Sequence, residues 1–72
     1  MEIHNEQERI RIGQRITELR AAKGMTQAAL ADACGLGRSH IVRIEKGMYN
    51  IQLETLALIA GAFGMTIDFV KK

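Results

Sequence analysis

Residues 24–47 read Gly24-Met25-Thr26-Gln27-Ala28-Ala29-Leu30-Ala31-Asp32-Ala33-Cys34-Gly35-Leu36-Gly37-Arg38-Ser39-His40-Ile41-Val42-Arg43-Ile44-Glu45-Lys46-Gly47. Thr26 is placed to cap a short helix that carries Ala29, Leu30 and Ala33 and stops at Gly35. A second segment begins after Gly37, turns Ile41 and Ile44 inward, and closes at Gly47. The connection between them is about three or four residues long and contains Gly35. Two short helices joined this tightly must cross at a wide angle. Gly35 supplies the positive φ such a turn needs, and Ala31 is small where the helices approach most closely.

On the N-terminal side, Asn5 with Glu8 three residues on has the form of a capping box, opening a helix that runs to about Lys23. Its inner face carries Ile12, Ile16 and Leu19, and Gly24 ends it. On the other side the spacing predicts a helix from about Gln52 to Phe63, with Leu53, Leu56, Ile59, Ala60 and Phe63 inward and Gly64 as its stop. Beyond it, Ile67 and Phe69 alternate with Thr66 and Asp68, a strand-like period of two. A fifth helix capped by Thr66 is the alternative. Phe69 stands where a capping box would want Glu or Gln, and Ile67, Phe69 and Val70 favour extended structure, so the reading leans to a short strand.

The whole is one all-α domain of 72 residues, without repeats, low-complexity tracts or linkers. A chain this short buries about 60% of the surface it exposes when unfolded, which leaves little room for a deep substrate cavity. Hydrophobic residues make up 47% and charged residues 25%, far more apolar than a disordered chain. No apolar run approaches the roughly 18 residues that span a bilayer, and the N-terminus lacks the pattern of a signal peptide. A cytoplasmic protein with no membrane partner is expected. The single cysteine, Cys34, reads as a small buried hydrophobe rather than a redox or ligand group. His4 and His40 lie on different elements, with no HExxH or paired-cysteine spacing, so neither a metal site nor any other cofactor is expected and catalysis is not foreseen.

The net charge of +2 says little, but its placement says more. Arg38, Arg43 and Lys46 lie in one short stretch with a single acid, Glu45. Arg9, Arg11, Arg15, Arg20 and Lys23 form a second basic group, in which Glu8, Arg11, Arg15 and Glu18 can also pair along a solvated helix face. Local basic clusters in a modestly charged domain suit a polyanionic partner. Arg38, Ser39, Val42 and Arg43 fall on the face of their helix that points away from Ile41 and Ile44.

The stretch quoted above, together with Asn50 and Leu53-Glu54-Thr55-Leu56, resembles the lambda-repressor/Cro (XRE) family of helix-turn-helix regulators over about residues 12–64. The resemblance implies a compact four- to five-helix lambda-repressor-like domain, with the helix-turn-helix at about 26–47 and a C-terminal dimerisation tail at about 63–72. It implies a sequence-specific regulator of transcription, a repressor, that binds a palindromic double-stranded DNA operator as a homodimer. The helix at about 38–47 would enter the major groove, with Arg38, Ser39 and Arg43 as base readers. Val42 stands open between a thymine methyl contact and packing. Gln27, Arg20, His40, Lys46 and Asn50 would meet the DNA backbone. Arg20 and Glu45 match a family ion pair that braces the reading helix. Phe63, Ile67, Phe69 and Val70 would form the dimer interface, a strand in the tail pairing with its two-fold mate. Gly37 and Gln52 depart from the usual Ser or Thr caps, and Ile51 stands where proline is common. Antitoxins of toxin-antitoxin pairs and restriction-modification controllers share this fold, and a toxin partner is the alternative that the short apolar tail suits.

Overall fold

The computed structural model describes residues 6–48 and 50–72. Four helices follow in order: α1 (Glu6–Ala22), α2 (Gln27–Cys34), α3 (Arg38–Glu45) and α4 (Leu53–Ala62). The expected capping residue Asn5 lies outside the described residues. The other boundaries follow from the local signals. Thr26, in extended backbone, accepts a hydrogen bond from the Ala29 N–H at 3.0 Å and so satisfies one orphan donor of α2. Gly35 closes α2 at φ 70°, and the Leu36 N–H reaches back to the Ala31 carbonyl at 2.9 Å. Gly37 and Gln52 open α3 and α4 without any side-chain cap, as their residue types require.

The core is a single cluster of Ile16, Leu30, Ala31, Cys34, Ile41, Ile44, Ile59 and Phe63, with Ile12, Leu19, Leu36 and Leu56 packed around it. Leu30, Ile41, Ile44 and Ile59 are fully enclosed. α2 packs on α3 and on α4, and α1 packs on α3. The expected apolar lock between α2 and α3 is present, since Leu30, Cys34, Ile41 and Ile44 are all buried and Leu36 leans on them. Burial raises the Cys34 thiol above its ordinary pKa, which keeps it a neutral hydrophobe.

Two expectations fail. Leu53, expected inward, is 68% exposed, because it is the first residue of α4 and its side chain lies over the turn before the helix, where no element covers it. Residues 65–72 form neither a strand nor a fifth helix. A strand needs a partner for its N–H and C=O groups, and among the described residues the tail meets none. The Phe69 N–H instead bonds the Asp68 carboxylate at 2.7 Å.

One close approach sets how α1 sits. A Cβ on Gly13 would stand 2.6 Å from both the Ile44 and the Glu45 carbonyl oxygens, backbone that cannot swing aside. The glycine therefore lets α1 lie directly against the C-terminal end of α3. Gly61, on α4, has open space where its Cβ would be. Gly13→Ala should therefore lower stability by about 1–3 kcal/mol through overpacking. Gly61→Ala should raise it by about 0.5–1 kcal/mol through helix propensity and reduced unfolded-state freedom. Urea unfolding midpoints check both, and a Gly13→Ala protein as stable as the parent would contradict the close approach.

Candidate nucleic-acid interface

α3 has two unlike faces. Ile41 and Ile44 are enclosed, while Arg38, Ser39 and Arg43 are exposed on the opposite side and Val42 is half-buried between them. Three expected base readers thus share one solvent face of a helix whose other face is fixed in the core. Lys46 follows as an exposed residue at the C-cap. His40 is half-buried on the same helix.

Glu45 holds the end of α3 in place. Its carboxylate receives Arg20 Nε at 2.6 Å and Arg20 Nη2 at 3.1 Å, a two-pronged pair with α1, and Gln27 Nε2 at 3.0 Å from the start of α2. Arg20 Nη1 also donates to the Met25 carbonyl at 2.9 Å, tying the α1–α2 connection to the same fork. Burial alone pushes the Glu45 carboxyl up. Hydrogen bonds from Arg20 and Gln27, with the charge of Arg20, outweigh it and hold the group below its ordinary value near 4.5. The Arg20–Glu45 brace expected from the resemblance is therefore formed. The bond from Gln27 was not foreseen, because Gln27 was read only as a backbone clamp. Its side-chain amide keeps a second N–H beyond the one given to Glu45.

Asn50 accepts a hydrogen bond from Arg9 Nη1 at 3.3 Å, and Arg9 Nε donates to the Gly47 carbonyl at 3.4 Å. Arg9 stands in the sequence only as one of several cations, and nothing in its spacing links it to a residue 41 positions away. The neighbouring cations behave as a solvated face should, with Arg11 on Glu8 at 2.6 Å and Arg15 on Glu18 at 3.2 Å, all exposed. Among the expected interface residues of the tail, Phe69 and Val70 are exposed and Ile67 partly so. Phe63 is 4% exposed and belongs to the core, so it has almost no surface left to offer a partner.

A tight turn, a core-locked second helix and a basic, exposed outer face on that helix define the helix-turn-helix class. In agreement, a family model described as helix-turn-helix matches residues 16–70. The chain belongs to that family, the XRE-type DNA-binding regulators and repressors of transcription. It is 39% identical over 59 residues to an immunity repressor protein of Bacillus phage phi105, a match that covers 82% of this chain and 41% of the repressor. The chain thus spans less than half the length of that relative. It is 36% identical over 58 residues to control protein C.BamHI of Bacillus amyloliquefaciens, covering 79% of this chain and 72% of the relative. Among solved structures, the restriction-modification controller protein C.AhdI from Aeromonas hydrophila superposes with a TM-score of 0.79 at 37% identity, covering 82% of this chain and 89% of that one.

The low pKa of Glu45 gives stability a defined pH dependence. A carboxyl whose pKa is lower folded than unfolded stabilises the fold fully above its unfolded value, and that contribution fades as pH falls through the folded value. Stability should therefore decline from about pH 4.5 downward. Glu45→Gln should cost about 2–4 kcal/mol at pH 7, by leaving the largely buried Arg20 without its partner, and should flatten the acid decline. Urea titrations at pH 7, 5, 4 and 3 measure both effects. An equally steep decline in Glu45→Gln would assign the acid sensitivity to other groups.

Proposed function

We propose that this chain binds double-stranded DNA sequence-specifically as a homodimer and represses transcription from a palindromic operator. The observation that carries this reading is the two-faced α3, with Arg38, Ser39 and Arg43 exposed together opposite the enclosed Ile41 and Ile44. A major groove admits one helix, and an arginine on its face can pair bidentately with guanine, worth about 1–3 kcal/mol against a wrong base. Gln27, Arg20, His40, Lys46 and Asn50 take the backbone, where cations and amides position the reader without reading it.

One reading helix spans too few base pairs for useful affinity, so two copies are needed, with reading helices about 34–36 Å apart. Exposed Ile67, Phe69 and Val70 supply apolar surface for pairing, together with Leu53 and Met65, which line one groove with Ile67. An extended tail joined to its two-fold mate would also provide the strand partner that the tail does not find among the described residues. The likeness to two controller proteins favours a second reading of the same site, in which the regulated operator belongs to a restriction-modification system.

Selection of sites from random duplex DNA should yield a palindromic consensus that is lost on Arg38→Ala or Arg43→Ala. Replacing both Ile67 and Phe69 with Glu should give a folded monomer in light scattering, with DNA binding weakened at least tenfold. Salt-sensitive binding that enriches no sequence would reject the regulator reading, and stoichiometric co-purification of another protein would point to an antitoxin instead.

A further inference from the structure

We infer that Arg9 and Asn50 together form a phosphate-binding site for the DNA backbone at the C-terminal end of the reading helix, with Arg9 both orienting Asn50 and supplying the charge. The inference rests on the DNA-binding reading above and deepens it by adding a residue from α1 that no motif pointed to.

The two groups are held together by backbone as well as by side chains. Gly47 adopts φ +69°, and a Cβ on it would stand 2.9 Å from the Cα and N of Ile10, so the segment after α3 lies directly on the α1 backbone. Arg9, one residue before Ile10, therefore stands beside that segment, and its Nε reaches the Gly47 carbonyl at 3.4 Å. Its Nη1 donates to Asn50 Oδ1 at 3.3 Å. With its oxygen turned to Arg9, the Asn50 amide keeps both of its N–H donors for a further acceptor. Two of the five N–H donors of the guanidinium are used in these bonds, and the rest remain for a further acceptor.

The result is a set of donors around one full positive charge, and among the described residues no carboxylate is bonded to it. Glu8, the carboxylate adjacent in sequence, is bound to Arg11 at 2.6 and 3.2 Å rather than to Arg9. Glu45, the acid of α3, is occupied by Arg20 and Gln27. A guanidinium fork beside an amide donor is the chemistry that receives a phosphodiester. The alternative, a purely structural tie between α1 and the segment after α3, would leave the excess donors without purpose and predicts no role for charge in DNA affinity.

The test measures the affinity of the full-length protein for its selected duplex across a salt series, with melting temperatures alongside. Arg9→Ala should weaken binding about tenfold, through loss of a charge-assisted contact. It should also reduce the slope of log K against log salt by about one, with the selected consensus unchanged. Arg9→Lys should restore the slope but only part of the affinity, because an ammonium keeps the charge and loses the fork. Asn50→Asp separates the structural from the binding role, since its carboxylate pairs with Arg9 and keeps the segment anchored. It should leave the melting temperature unchanged or raised, yet lose at least as much affinity as Arg9→Ala. If the parent binds and Arg43→Ala abolishes recognition, but Arg9→Ala and Asn50→Asp leave the salt slope intact, the site is overturned and the DNA-binding reading stands. A parent protein that binds no duplex at all overturns both.

Discussion

The Glu45 carboxylate rides on α3 and is bonded from both α1 and α2, and the pose of α3 depends on that junction. An acid in the last turn of a helix opposes the helix dipole, so local helix energetics do not account for it. Its value is directional. The apolar lock of Leu30, Ile41 and Ile44 holds α3 against the domain, but hydrophobic contact has no preferred direction and tolerates small rotations. A bidentate guanidinium–carboxylate pair does not. Neighbouring residues of a helix point about 100° apart, so even a partial rotation would carry Arg38, Ser39 and Arg43 off the face they share.

Clearance around α1 completes the junction. Without a side chain at Gly13, the α1 backbone meets the last carbonyls of α3, and without one at Gly47 the following segment meets α1 again at Ile10. These two approaches bring Arg20 and Arg9, on the same helix, to two different groups at the end of α3. α1 therefore acts as a plate to which α3 is fastened at several points, by an ion pair and by contact of bare backbone. The polar contacts are short-ranged and need the glycines. Side chains at those positions would push α1 away and lengthen the bonds that orient α3.

Much of this fold is legible in the sequence, because helical spacing and capping chemistry are local. Thr26, Gly35, Ile41, Ile44 and Ile59 take the roles their types and positions suggest. Leu53 shows where the method stops, since periodicity marks an apolar residue without saying whether another element covers it, and at the first position of α4 none does. The tail fails for a related reason. Alternation between apolar and polar residues describes what a strand would look like, while forming one requires a partner backbone that the tail does not meet among the described residues. Glu45 became legible only through the family resemblance, and Arg9 not at all, because both depend on contacts between helices distant in sequence. Gly13 carried a usable signal, as a glycine inside a helical stretch costs about 1 kcal/mol and calls for a packing reason.

Part of the unburied apolar surface is contiguous. Leu53, Ala57, Ala60, Met65, Thr66 and Ile67 line one groove between α4 and the tail, a contiguity that distinguishes it from the single exposed hydrophobes any small domain carries. α4 rests on α2, and α2 in turn rests on α3. In the dimer proposed above, the pairing surface and the reading surface would thus be related through one short helix packed on both. The distance between two reading helices would then depend on the packing of α2, through Leu30, Ala31 and Cys34, and on the fastening of α3 to α1, more than on any residue that touches DNA. A change in those three side chains could alter which half-site spacing the protein accepts while leaving the bases it reads untouched, because spacing and base preference are carried by different layers of the same small core.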